Sequence, residues 1–113
     1  MSTIDKKEQM MEQIERITKM EQCLDASEKA VRELSEALSA FEAAQPQYRR
    51  LSDYYGSDAW MQDYEDDEAG KLPKDLKRGV LSEDAVYDLV TENRELLVRM
   101  LRLVTAALES DGL

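Results

Sequence analysis

The segment that decides the fold is residues 10–41, which read MMEQIERITKMEQCLDASEKAVRELSEALSAF. Apolar side chains recur in it every seven residues, and a second row follows three residues behind the first. Two rows with this offset share one face of an α-helix and form the seam of a coiled coil. Because residues 2–44 contain no glycine or proline, the pattern predicts one helix over about residues 3–44. The first seam row is Met10, Ile17, Leu24, Val31 and Leu38, and the second seam row is Gln13, Met20, Ser27, Leu34 and Phe41.

The end of the chain predicts a second long helix, over about residues 83–109. Ser82 is suited to its N-cap, because the hydroxyl can accept a hydrogen bond from an N–H of the first turn. Leu81 and Val86 take the two positions of a hydrophobic staple, which fixes the direction in which the chain enters a helix. Apolar residues at helical spacing follow, so this helix also has a face to bury.

The segment between these helices holds most of the turn-forming residues. Pro46 suits the first turn of a short helix that Gly56 would end, and Ser57 can cap another. Pro73 can start a third helical turn, which Gly79 would end. Helix formers dominate the composition while Val, Ile and Thr are few, which argues against a sheet. We therefore expect a single all-α domain over residues 1–113, a long antiparallel helical hairpin of coiled-coil type with a connector of short helices over about residues 46–81.

Charge and composition exclude several classes of function. The 113-residue chain has no histidine, which excludes Ser-His-Asp and Cys-His catalysis and any histidine-ligated metal site. Its 15 basic and 25 acidic residues give a net charge of −10, which argues against general nucleic-acid binding. The single Cys23 cannot form an internal disulfide and fits a reducing compartment. We expect a protein that is not an enzyme and has no cofactor.

No segment of the sequence has the character of a secretory signal or a membrane span. The N-terminus becomes polar at once, and the densest apolar run, residues 96–104, is interrupted by Arg99 and Arg102. A bilayer span needs about 20 consecutive apolar residues. We therefore expect a cytoplasmic protein that does not bind membranes.

The acidic run of residues 63–68 is a weak candidate for divalent-ion or small-ligand binding, with Asp63, Glu65 and Asp67 as the candidate ligands. An EF-hand loop that began at Asp63 would place Glu68 where glycine is needed and Lys74 where glutamate is needed, so that motif fails. The structural alternative is a solvated acidic turn.

The basic segment 71–81 follows at once and carries four basic residues and one acidic residue, whereas residues 46–70 carry seven acidic and two basic ones. Gly70-Lys71 resembles the end of a P-loop, but Glu65 and Leu72 do not fit that motif. We expect local pairing between the acidic and basic segments rather than binding of a polyanion. The aromatic residues nearby predict either a recognition surface or a small core that joins the connector to the long helices. The recognition-surface candidates are Tyr54, Tyr55, Trp60, Lys71, Lys74, Lys77 and Arg78.

The middle of the chain resembles a bacterial domain-of-unknown-function family, number 4298 in that series. The resemblance covers about residues 10–100 and implies a small bacterial helical protein with no assigned activity. It brings no catalytic or ligand-binding residues with it. Its motifs are YYGS at 54–57 with Trp60, GKLPKDLKRGVLSED at 70–84, YDL at 87–89, ENREL at 92–96 and MEQIERI at 11–17.

The predicted hairpin leaves apolar surface uncovered. If the long helices pack antiparallel, the C-terminal helix ends beside about Ile17, and the first turns of the first helix have no partner. At that end the C-terminal helix is apolar nearly all round, which is typical of a helix buried on all sides. We therefore predict self-association, as a twofold homodimer. The interface candidates are Met10, Ile14, Val98, Leu101 and Leu108.

These features predict a protein–protein interaction module that self-associates and whose further partner the sequence does not identify. Two other classes stay open. One is a small-ligand or divalent-ion binding protein that uses residues 63–68. The other is an acidic decoy, such as an immunity-type inhibitor of a basic partner, whose binding would weaken steeply with salt.

Overall fold

The computed structural model describes residues 3–110, and within that range the protein is all-α, with no strand. The all-α prediction is confirmed, and the chain has the element order of a helical hairpin: a long helix, a connector and a second long helix. Residues 1, 2 and 111–113 of the predicted domain lie outside the described range. The elements are α1, Thr3–Tyr54; α2, Asp58–Glu68; a 3₁₀-helix, Gly79–Leu81; and α3, Ala85–Glu109.

Residue packing divides the chain into two units, Met1–Gln45 and Pro46–Leu113. The boundary falls inside α1, directly before Pro46. The prediction that the first helix ends near residue 44 and that Pro46 opens a separate helix is wrong, because α1 continues to Tyr54. Proline removes one helical N–H and costs about 3 kcal/mol in a helix interior. The half-buried Tyr48, Leu51 and Tyr54 of the following turns offset that cost.

The local stop and start signals of α1 and α2 act as predicted. Gly56 follows α1 with φ of +81°, a left-handed conformation that glycine adopts without strain. Ser57 is the N-cap of α2, and its hydroxyl accepts a hydrogen bond from the Trp60 N–H at 3.2 Å. A direct reversal between the two helices results, with only Tyr55, Gly56 and Ser57 between them.

The third predicted helical turn, over residues 74–78, does not form. Instead, the Leu76 N–H donates to the Pro73 carbonyl in a turn, and Gly79 begins the 3₁₀-helix rather than ending a helix. The physical reason is Arg78, whose guanidinium donates to the carbonyl oxygens of Pro73 and Lys74. In an α-helix the Lys74 carbonyl would accept from the backbone N–H of Arg78.

The second unit has a small core at the start of α3. Leu81 and Val86, the predicted staple pair, are 7% and 3% exposed. The Ser82 hydroxyl accepts from the Ala85 N–H at 3.2 Å, but the prediction that Ser82 is the N-cap is wrong, because α3 begins two residues later than predicted and its N-cap is Asp84. Helix boundaries commonly differ by this much.

The described part of the first unit, from Thr3 onwards, contains no buried side chain. Thr3–Tyr54 as a whole has no buried residue, and the first seam row is 38–69% exposed. Of the second seam row, Met20 and Leu34 are 57% and 58% exposed. The predicted helix is present, and its predicted packing face is open to solvent.

Candidate functional site

The connector is organised around Trp60 of α2. The Trp60 ring stacks on Tyr64, with centroids 5.3 Å apart, and packs edge-to-face with Tyr55, with centroids 5.2 Å apart. Its indole N–H donates to the Val80 carbonyl at 2.9 Å. The Tyr55 hydroxyl donates to the Glu83 carbonyl at 3.3 Å. Aromatic pairs of this kind contribute about 0.5–1.5 kcal/mol beyond their burial, so the cluster fastens α2 to the segment that enters α3.

A second bond crosses the reversal between α1 and α2. The Tyr54 hydroxyl, at the end of α1, donates to Oδ2 of Asp63 at 2.5 Å. The bond to this carboxylate, together with burial and the negative charge of Asp63, raises the pKa of Tyr54 from 10.0 to about 12. Tyr54 therefore stays protonated and bonded at any pH near neutrality.

The basic segment pairs with the acidic helix, as the sequence predicts. Nε of Arg78 donates to Oδ1 of Asp67 at 2.9 Å, while its two Nη atoms reach the carbonyl oxygens of Lys74 at 3.1 Å and Pro73 at 2.7 Å. Lys71 approaches Asp66 at 3.7 Å. Arg78 thus spans α2 and the turn at 73–76, because a guanidinium presents several donors in a fixed plane. We call the three hydrogen bonds of the Arg78 guanidinium, to Asp67, Lys74 and Pro73, the Arg78 clasp.

The candidate metal ligands are not brought together. Asp63 accepts the Tyr54 hydroxyl, Asp67 accepts from Arg78, and Glu65 is exposed. Residues 3–110 contain no group of three His, Cys, Asp or Glu side chains placed to hold a metal ion. The helical spacing explains this, since positions i, i+2 and i+4 of α2 do not share one face.

The recognition-surface candidates divide into two groups. Tyr54, Tyr55, Trp60 and Arg78 are half-buried and bonded within the connector, whereas Lys71, Lys74 and Lys77 are exposed. The aromatic residues are therefore half-buried and bonded within the connector, which favours the small core over the recognition surface. Lys77 lines a shallow, mainly apolar cleft of about 370 Å³ together with Leu51, Val80, Val86 and Leu89.

Several contributors to this arrangement were not found in the sequence. The Val80 carbonyl accepts from Trp60 across 20 positions, and backbone acceptors carry no sequence signal. Leu51 lines the cleft because α1 continues past Pro46, against the sequence prediction. The Tyr54–Asp63 bond spans nine positions across Gly56-Ser57, and that turn signal was the one available indication.

The interface candidates lie on the two long helices and are all exposed. Met10 and Ile14 of α1 are 61% and 57% exposed, and Leu108 of α3 is 80% exposed. Val98 and Leu101 are also exposed. Within residues 3–110, no helix combines the length and apolar character needed to cross a membrane.

These features define a small all-α protein with a fastened aromatic connector and two long helices that expose apolar side chains. The chain belongs to the family DUF4298, a domain of unknown function, whose family model matches residues 17–103. The resemblance to this family that the connector motifs indicate is confirmed. No curated protein and no solved structure matches the chain.

Proposed function

We propose that the protein is a non-enzymatic protein–protein interaction module that self-associates as a homodimer through its long helices. One observation carries this proposal: the first seam row of α1 is apolar at five successive heptad positions, and every residue of that row is exposed. A heptad seam is the side-chain pattern that packs against another helix. Contiguous apolar surface of this length marks an interaction site on a soluble protein.

The stability of α1 gives a second reason. Its 52 residues bury no side chain, and most of the stability of helices in proteins comes from packing of an apolar face. Two exposed ion pairs on the outer face, Lys19–Glu15 at 3.1 Å and Lys29–Glu33 at 3.8 Å, each contribute less than about 1 kcal/mol. A partner helix packed on the seam would supply the stabilisation of α1 that these ion pairs do not supply.

The last turns of α3 also expose apolar side chains. Leu101, Leu103 and Leu108 are 67%, 64% and 80% exposed. Leu101 and Leu108, seven residues apart, share one side of the helix, and Leu103 lies on the opposite side. An α-helix that is apolar on several sides is suited to burial on several sides. The connector, in contrast, bonds its aromatic side chains and two of the candidate ligands, Asp63 and Asp67, internally, which leaves the ligand-binding alternative with little support.

The test is the dissociation constant of the dimer, measured by sedimentation equilibrium from low to high micromolar protein. Leu24 is 49% exposed, so burial of this side chain contributes about 1 kcal/mol in each protomer. Leu24→Lys should therefore weaken the dimer by at least about 30-fold, before the cost of two charges in the seam is added.

Gln22→Lys is the matched control, because it adds the same charge on the outer face of α1 and should leave the dimer unchanged. A wild-type chain that sediments as a monomer at high micromolar concentration would refute the proposal. Equal effects of the two substitutions would show that net charge, and not the seam, controls association.

A further inference from the structure

We infer that the occupant of the α1 seam is the α1 seam of a second copy of this chain, lying parallel and in register over residues 10–38. This inference rests on the proposed self-association and adds the orientation and alignment of the two helices. It follows from the positions of the polar and charged residues in and beside the seam.

Both polar residues of the seam lie in the second row. Gln13 and Ser27 are the exceptions among side chains that are otherwise apolar, and both are exposed. In a parallel, in-register pair, each seam residue faces its own counterpart. Gln13 then faces Gln13 of the partner subunit, and Ser27 faces Ser27 of the partner subunit, so each polar group has a hydrogen-bonding partner inside the interface. Polar seam residues are known to specify register in this manner.

Antiparallel pairing places these residues unfavourably. In an antiparallel coiled coil, second-row residues face first-row residues, and the first row consists of Met10, Ile17, Leu24, Val31 and Leu38. Ser27 would therefore lie against an apolar side chain in every antiparallel register within the seam. Burial of a polar group without a partner is costly. A parallel pair shifted by one heptad has the same defect, because Ser27 would then face Met20 or Leu34.

The charges beside the seam select the same arrangement. In a parallel pair, Arg16 flanks the second row and lies beside Glu21 of the partner subunit, and the twofold symmetry forms this contact twice. Neither Arg16 nor Glu21 forms an ion pair within residues 3–110, so both are available. In the antiparallel register with full overlap, Glu21 would instead lie beside Glu28 of the partner subunit, and two like-charge contacts would form.

The remaining flanking positions are compatible with parallel pairing. Cys23, Ala30 and Ala37 continue the line of Arg16, and in a parallel pair they lie beside Glu28, Ser35 and Glu42 of the partner subunit. No like charges meet along this flank. The parallel, in-register pair is therefore the one arrangement that matches polar with polar, positive with negative and apolar with apolar residues along the seam.

Disulfide trapping tests the orientation in the full-length chain. With the native thiol removed by Cys23→Ser, Met10→Cys and Leu38→Cys are introduced in separate variants, and each is equilibrated in a glutathione redox buffer. In a parallel, in-register dimer both positions face their own counterparts within the range of a disulfide, so the covalent dimer should be the main species for each variant alone. Lys29→Cys on the outer face is the control and should remain largely monomeric on a non-reducing gel.

Sedimentation of the reduced variants separates failure of this inference from failure of the proposed function. A dimer in which neither Met10→Cys nor Leu38→Cys forms the disulfide alone would overturn the parallel arrangement and leave self-association standing. Full overlap in the antiparallel direction holds the two introduced thiols tens of ångströms from their own counterparts. Disulfide formation only in a mixture of Met10→Cys with Phe41→Cys would establish that opposite orientation. A monomer would refute both proposals.

Discussion

The Arg78 clasp allows a quantitative test of what holds the connector together. The Arg78–Asp67 contact is 2.9 Å long, and the two side chains are 37% and 19% exposed. The Lys71–Asp66 contact in the same segment is 3.7 Å long, with side chains 70% and 30% exposed. Both pairs join α2 to the basic segment, so they differ mainly in distance, burial and hydrogen-bond geometry.

The expected magnitudes follow from those differences. A hydrogen bond to a charged group contributes about 1.5–3 kcal/mol, and partial exposure reduces this, so the coupling energy between Arg78 and Asp67 should be about 1–1.5 kcal/mol. For the exposed pair Lys71–Asp66 it should be below about 0.5 kcal/mol. Arg78→Ala also removes the donors to the Pro73 and Lys74 carbonyls, and the total loss of unfolding free energy should be about 2–3 kcal/mol.

The assay is a pair of double-mutant cycles, Arg78→Ala with Asp67→Asn and Lys71→Ala with Asp66→Asn, measured by urea unfolding. Trp60 fluorescence is the readout, because the indole bonds to Val80 only two residues after Arg78. Arg78→Lys is a further variant, which keeps the charge but not the planar donor set, and it should recover less than half of the loss. The reasoning is refuted if the Arg78–Asp67 coupling is no larger than the Lys71–Asp66 coupling, or if Arg78→Lys is as stable as the wild type.

Two further predictions concern the ends of the connector. Because the fold raises the pKa of Tyr54 to about 12, the folded state favours the protonated tyrosine. The contribution of Tyr54 to the free energy of unfolding is therefore full below about pH 10 and is lost as the pH rises towards 12. Alkaline absorbance titration should show one tyrosine ionising near pH 12. Tyr54→Phe should abolish that step, and Asp63→Asn should lower its midpoint. A wild-type profile in which all tyrosines ionise near pH 10 would contradict this prediction. Leu81→Ala should lower the unfolding free energy by about 2–5 kcal/mol, because Leu81 is 7% exposed. Val80 is 40% exposed, so the control Val80→Ala should lower it by less than about 1 kcal/mol. Comparable losses for the two variants in calorimetric melts would argue against a core at Leu81.

The extent of α1 illustrates where sequence reasoning fails. Pro46 is suited both to the first turn of a new helix and to the interior of a helix that tolerates one missing hydrogen bond. The sequence shows the local cost of proline. It does not show that Tyr48, Leu51 and Tyr54 become half-buried in the fold. The predicted break was therefore wrong, although the helical character on both sides of it was right.

In the connector, too, some interactions could be predicted from the sequence and others could not. Ser57 and Gly56 were predictable, because a capping hydroxyl reaches an N–H three residues away and a left-handed residue must follow a helix that stops abruptly. The pairing of the acidic and basic segments was predictable from their adjacency and opposite charge. The partners of each charged group were not predictable, since Arg78 bonds to Asp67 and to two carbonyl oxygens whose distance and direction only the fold sets.

The sequence by itself determined the all-α fold, the seam of α1, the staple pair Leu81 and Val86 and membership in the DUF4298 family. Each of these depends on periodicity or on interactions within a few residues, and such features can be read directly along the chain. Only the tertiary structure decided that the aromatic residues fasten the connector and that Asp63 and Asp67 bond to Tyr54 and Arg78. These outcomes depend on which side chains and carbonyl groups meet once the chain has folded. The difference in burial between Leu81 and Val80 is likewise set by packing rather than by residue type.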